Sequence, residues 1–206
     1  MRIAGILLAA GRSRRMGRPK LSLELAPGRP LGAETLGRML AYPRLDRVVA
    51  VVRPDDDLRW AEPVRAADRG GRLVFAACER FAEGMAFSLR RGLAEAEAFG
   101  TPDAVLVALA DQPFIDAELL DSLIEAYARD RSLDFAACRD GEEARPPALL
   151  GASMFGPIAR LVGDRGARGL LADPRCKGAL VEPRSAIAFV DIDTPEDLKR
   201  AVRLRR

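Results

Sequence analysis

An α/β protein with a mainly parallel sheet covered on both faces is what this sequence predicts, on three observations. Short runs rich in Val, Ile, Leu and Ala recur along the chain. Longer amphipathic stretches separate them, some opened by helix-start signals. Strands that alternate with helices pair in parallel and are buried on both faces, so each reads as a continuous apolar run. The 206 residues, 49% hydrophobic, suit one domain over 1–206.

The elements follow in order. Residues 2–10 form an apolar run ending in small residues, a buried strand. A polar, glycine-bearing stretch leads to a helix at 33–41. Strands follow at 48–52, stopped by Pro54 and three aspartates, and at 73–76. A helix at 84–98 precedes a strand at 104–110, bracketed by Pro102 and Pro113. Asp116 is placed to cap a helix over 116–129. Two strands, 134–138 and 147–150, precede a helix at 153–162. A last strand is expected at 186–192, then a helix at 195–204. Thr194-Pro195-Glu196-Asp197 opens that helix with a capping hydroxyl, a proline at its first position and acids in its first turn.

Composition excludes several functions. Net charge is only +3 with ample apolar content, so disorder is excluded. No run approaches the ~20 apolar residues that span a bilayer, and the N-terminal run ends in a glycine and arginines, unlike a cleaved leader. Cys78, Cys138 and Cys176 are odd in number and unpaired in spacing, which indicates neither a disulfide framework nor a zinc site and makes a reducing cytoplasm the default. There is no histidine, which removes Ser-His-Asp and Cys-His nucleophiles and histidine general bases. All but three of the 33 cations are arginine, scattered along the chain, and aromatics make up 5%. A polyanionic small ligand fits this balance better than a nucleic acid, which would need stacking platforms.

Three features point to chemistry. The segment from Leu8 through Ala9, Ala10, Gly11, Arg12 and Ser13 to Arg14, Arg15, Met16, Gly17, Arg18, Pro19 and Lys20 leaves a strand through small residues and then gathers cations. Phosphates need that combination of close backbone amides and positive side chains. It is not a Walker A loop, since no Gly-Lys-Ser/Thr closes it. Lys20 is one of three lysines in an arginine-dominated chain, which suggests that an ammonium is required there. Asp111 follows the 104–110 strand directly. Asp191 and Asp193 end the expected last strand, where alternation puts both on one face. Carboxylates beside a polyphosphate repel it by about 4 kcal/mol per close pair at an effective dielectric of 20. A divalent cation removes the conflict, and magnesium suits one or two carboxylates with phosphate oxygens.

These residues resemble the MobA-like nucleotidyltransferases. Ala9-Ala10-Gly11 with Arg15-Met16-Gly17 and Lys20 is similar to the molybdenum cofactor cytidylyltransferase branch, whose guanylyltransferase relatives usually read Ala-Gly-Gly at the first position. The likeness continues at Gly84-Met85-Ala86-Phe87-Ser88-Leu89, Ala110-Asp111-Gln112-Pro113, Gly163-Asp164-Arg165-Gly166-Ala167-Arg168 and Asp191-Ile192-Asp193-Thr194-Pro195. It implies a three-layer α/β/α Rossmann-like nucleotidyltransferase (nucleotide-diphospho-sugar transferase) fold with a mainly parallel mixed sheet. It further implies transfer of CMP from CTP to the phosphate of molybdopterin, with Mg²⁺ as cofactor and a molybdoenzyme as partner. Carried over by position, Leu8, Ala9, Ala10, Gly11, Arg12, Ser13 and Lys20 bind nucleotide, as do Gly84, Met85 and Ser88. Arg15, Lys20 and Asp111 are catalytic; Asp111, Asp193 and Asp191 hold the metal; Arg145, Arg165 and Arg168 face the acceptor.

Two departures stand out. Where relatives carry Gly-His-Pro, this chain reads Glu143-Ala144-Arg145-Pro146-Pro147, and Cys78 stands where an asparagine is common. The first leaves a sugar phosphate or other phosphorylated acceptor open, with GTP as another donor. A nucleotide-binding cofactor chaperone without turnover is the non-enzymatic alternative.

Overall fold

The computed structural model describes residues 1–164 and 166–204. Its centre is a seven-stranded sheet of β1 (Ile3–Leu8), β4 (Arg47–Val52), β5 (Leu73–Ala77), β6 (Ala104–Leu109), β7 (Phe135–Asp140), β8 (Glu143–Gly151) and β9 (Gly178–Val181). The spatial order is β5-β4-β1-β6-β8-β7-β9. Every neighbouring pair is parallel except β6–β8 and β7–β8, so β8 alone runs against the rest. A separate small hairpin pairs β2 (Glu24–Ala26) with β3 (Arg29–Pro30).

Side-chain alternation along the strands builds two cores. One face carries Ile3, Leu7, Val48, Ala50, Leu106 and Ala108 beneath α1 (Leu31–Ala41), α2 (Glu62–Ala67) and α4 (Ala117–Arg129). The other carries Ile6, Val49, Val51, Val105 and Val107 beneath α3 (Met85–Ala98), α5 (Phe155–Ala159) and α6 (Gly166–Leu171). This is the expected three-layer, mainly parallel mixed arrangement. A third cluster of Met16, Leu25, Leu31, Ile192 and Ala201 joins the hairpin to α7 (Pro195–Leu204). No described helix is long and apolar enough to cross a membrane.

The local signals act as their chemistry requires. The Asp116 carboxylate accepts the Leu119 amide at 2.8 Å and caps α4. Thr194 Oγ1 accepts the Asp197 amide at 3.2 Å while the Asp197 carboxylate accepts the Thr194 amide at 2.8 Å, a reciprocal cap on α7.

One expected strand is corrected. Residues 186–192 form a 3-10 turn at Ala186–Phe189, followed by extended chain outside the sheet. Both edges of β6 are taken, by β1 and β8, so the returning chain finds no open ladder there. It lies across the strand ends instead, tied by the Ile192 amide to the Asp111 carbonyl at 3.1 Å. β9, α2 and α6 lie outside the expected elements. β8 also starts earlier than 147. It pairs with β6 only from Ala148 to Gly151, so Pro146 and Pro147 fall beyond that ladder, where a missing amide costs nothing.

Candidate active site

The carboxyl ends of β1 and β6, the two central neighbours, frame the site. Leaving β1, the Ala9 amide bonds the Val51 carbonyl at 2.8 Å, and the chain then turns through 11–19. Ser13 takes a left-handed φ of 51°, and its carbonyl accepts the amides of Met16 and Gly17. The Ser13 hydroxyl accepts the Lys20 amide at 3.2 Å. Ser13, expected on the nucleotide, therefore shapes the turn that delivers Lys20.

Lys20 is buried, only 8% exposed. Its ammonium lies 2.5 Å from Asp111 Oδ2 and 2.9 Å from Asp193 Oδ1, and Arg15 reaches the other Asp193 oxygen at 2.5 Å. Burial alone would lower the Lys20 pKa, but the two facing carboxylates outweigh it and hold it above the ordinary lysine value. Residues far apart in sequence thus meet around one buried cation.

A cavity of about 420 Å³ opens beside this cluster. Leu8, Ala9, Ala10, Gly11, Arg12 and Lys20 line it, together with Asp111 and with Gly84, Met85 and Ser88. Those are the expected nucleotide residues apart from Ser13. Gly84 is required by geometry: φ is +126°, and a Cβ there would fall 2.3 Å from the Gly163 carbonyl carbon. That close approach lets the Gly163 carbonyl accept the Ala86 amide at 3.1 Å, tying the start of α3 to the 163–164 turn. Arg14, Phe81 and Asp164 also line the cavity. Phe81 carries the Arg12 guanidinium 5.4 Å from its ring centre, a pairing that residue spacing alone does not reveal.

A second cavity of about 700 Å³ adjoins the first and shares Leu8, Met85, Leu109 and Asp164 with it. Arg145 and Arg168 line it, held by ion pairs to Asp140 at 2.7 Å and to Glu143. Arg165 lies outside the described residues. Asp191, expected on the metal, is turned to this second cavity and accepts Gln112 Nε2 at 2.9 Å. It does not join the Lys20 cluster, because 186–192 is not a strand and no alternation holds it in line with Asp193. Burial, with Asp111 nearby, raises the Asp191 pKa against the Gln112 bond. Cys78, the residue after β5, is buried and lines neither of these two cavities.

Among the described residues no group of three or more acidic, histidine or cysteine side chains forms a metal cage. The donor set here is two carboxylates converging on one cation. That fits a magnesium ion completed by phosphate oxygens and water, and does not fit an all-protein calcium or zinc site.

Comparison with known proteins agrees with this architecture. The purine catabolism protein PucB of Bacillus subtilis (strain 168) is 34% identical over 198 residues, 95% of this chain and 93% of that one. A probable molybdenum cofactor guanylyltransferase of Natronomonas pharaonis is 33% identical, covering 96% of this chain and 95% of its own. The crystal structure of Rv0371c from Mycobacterium tuberculosis H37Rv superposes with a TM-score of 0.77 at 26% identity, over 98% of this chain and 99% of that one. Residues 5–179 match the model of the MobA-like NTP transferase domain. The chain belongs to the MobA-like NTP transferase family and is a nucleotidyltransferase of that type.

Proposed function

We propose that this protein transfers the CMP group of CTP to the terminal phosphate of molybdopterin and releases pyrophosphate. The observation that carries the reading is the Lys20 ammonium, held between Asp111 and Asp193 on the wall of the smaller cavity, which adjoins the larger one. A triphosphate in the smaller cavity puts its α-phosphorus near these groups, and an acceptor phosphate arrives from the arginine-lined side. An acceptor oxygen bonds to the α-phosphorus as the α–β anhydride bond breaks, and the electron pair leaves with pyrophosphate. The attacking phosphate is already anionic, so no general base is required, consistent with a chain without histidine.

The residues then work by position and charge. Backbone amides after β1 face the phosphates, Arg15 and Lys20 offset charge growing on the leaving group, and Gly84, Met85 and Ser88 bound the nucleoside. Arg145 and Arg168 attract the acceptor. Magnesium, when bound by Asp111 and Asp193, would neutralise the triphosphate and polarise the reacting phosphoryl group. The Ala9-Ala10-Gly11 pattern favours CTP. The relative named as a guanylyltransferase favours GTP as a second reading. Pyrophosphate release with molybdopterin and each of CTP, GTP, ATP and UTP tests both. CTP turnover well above the rest supports the proposal; turnover with GTP alone, or with a sugar phosphate in place of molybdopterin, overturns it.

A further inference from the structure

The cations that follow β1 differ in their surroundings. Lys20 and Arg15 are neutralised by Asp111 and Asp193. Arg12 lines the smaller cavity, yet it has no ion pair and no hydrogen bond among the described residues. Its guanidinium instead lies over the Phe81 ring, 5.4 Å from the centre. A cation over an aromatic face is attracted by the negative π density, and the contact consumes none of its N–H donors. They stay available to a ligand.

The ring is a fixed point beside a freer segment. A Cβ built on Gly11 would meet nothing within 4 Å, so close packing does not fix the backbone just before Arg12. Phe81, by contrast, is half-buried and packed against the core beneath α3. It opens a 3-10 turn, Phe81–Glu83, and its amide bonds the Cys78 carbonyl at 3.2 Å. Arg80 forks onto Glu83 at 2.7 and 2.6 Å and lies 3.9 Å from the Phe87 ring centre, which fastens that turn to α3. Phe81 lines the smaller cavity as Arg12 does.

We propose that Phe81 is a positioning residue: it holds the Arg12 guanidinium at the smaller cavity with its donors unspent, and so raises affinity for the phosphates of the nucleotide without touching them. This rests on the assignment of the smaller cavity to the triphosphate. Fixing an arginine before the ligand arrives removes side-chain ordering from the cost of binding. An ion pair would fix it too, but its carboxylate would compete with phosphate for the same N–H edge. The ring avoids that competition.

The test is a double-mutant cycle on the full chain, read by calorimetric titration with inorganic triphosphate in MgCl₂ and, separately, with cytidine. Phe81→Leu keeps apolar packing but removes the ring. It should weaken triphosphate binding about 2- to 10-fold, the span of a partly exposed cation–π contact. Phe81→Tyr should retain wild-type affinity. In an Arg12→Ala background Phe81→Leu should have no further effect, which a merely structural role would not predict. Cytidine should bind wild type and Phe81→Leu alike. Phe81→Met takes the place of Phe81→Leu if that variant does not fold. Undiminished triphosphate binding by Phe81→Leu, an equal loss in the Arg12→Ala background, a like loss with Phe81→Tyr, a comparable loss of cytidine binding, or no triphosphate binding by the wild type overturns the inference. Pyrophosphate release from CTP by the wild type alongside an additive cycle would sink this inference alone; a coupled cycle without turnover of any nucleoside triphosphate would sink the transferase reading instead.

Discussion

Replacing Lys20 by methionine probes the charge balance of the site directly. The ammonium contacts Asp111 at 2.5 Å and Asp193 at 2.9 Å, and its loss leaves two carboxylates facing each other. Like charges 4–5 Å apart at an effective dielectric of 20 repel by about 3–4 kcal/mol, and breaking a buried pair costs about 3–5 kcal/mol. The two acidic side chains are 20% and 27% exposed, so water screens part of this. About 2–3 kcal/mol is the expected net loss. A chain of this size shifts its melting temperature by about 2–4 °C per kcal/mol, so the variant should melt about 4–12 °C lower by calorimetry in metal-free buffer. Millimolar MgCl₂ should recover much of the drop, since a divalent cation can occupy the space between the carboxylates. The folded-state pKa of Lys20 is raised, so its contribution is complete below about pH 10.4 and is lost only as pH rises beyond that. The wild-type advantage should therefore be undiminished from neutral pH to pH 9. A variant that melts with the wild type, or that ignores magnesium, would falsify the picture of one cation shared by two acids.

Five further outcomes are expected. Lys20→Ala should lower kcat by about 10²–10³, the cost of one preorganised donor, and Asp111→Asn should abolish magnesium-dependent pyrophosphate release. Gly84→Ala should destabilise the chain and raise KM for the nucleotide, because its Cβ would strike the Gly163 backbone at 2.3 Å; unchanged denaturation and kinetics would refute the close approach. The Ser132 hydroxyl and amide, with Lys177, hold Asp130 down to about 2. Its contribution is present above the unfolded value of about 3.9 and is lost as pH falls through about 2, so Ser132→Ala should move the carboxyl titration seen by NMR upward. Burial pushes the Cys138 thiol up to about 12, so it should resist a thiol reagent at pH 8 until the protein is unfolded.

The central strands are legible because each is buried on both faces and its apolar run is uninterrupted, as in 104–110. The loop from Gly11 to Lys20 is legible because small residues beside clustered cations have few other uses. What the sequence obscures is set by distant competition. The run 186–192 has strand composition, but β1 and β8 already occupy the edges of β6. Strand alternation over that run would align Asp191 with Asp193, whereas in the fold Asp191 faces Gln112. Gln112 itself stood beside Asp111 in the sequence, yet a buried, half-satisfied amide becomes visible only once its surroundings are fixed. Composition marks out Lys20, while its two partners, 91 and 173 residues away, are brought to it only by the fold.

The reversed direction of β8 has a consequence for how such a protein could diversify. Because β8 runs against its neighbours, the turn joining it to β7 lies at the ligand-facing rim, and Arg145 and Glu143 are carried there on an extension outside the β6 ladder. Residues 140–146 can lengthen, shorten or change charge without disturbing the register from Ala148 to Gly151. The wall of the larger cavity is thereby uncoupled from that of the smaller one, and a graft of this hairpin between relatives is a direct route to altering the larger cavity alone.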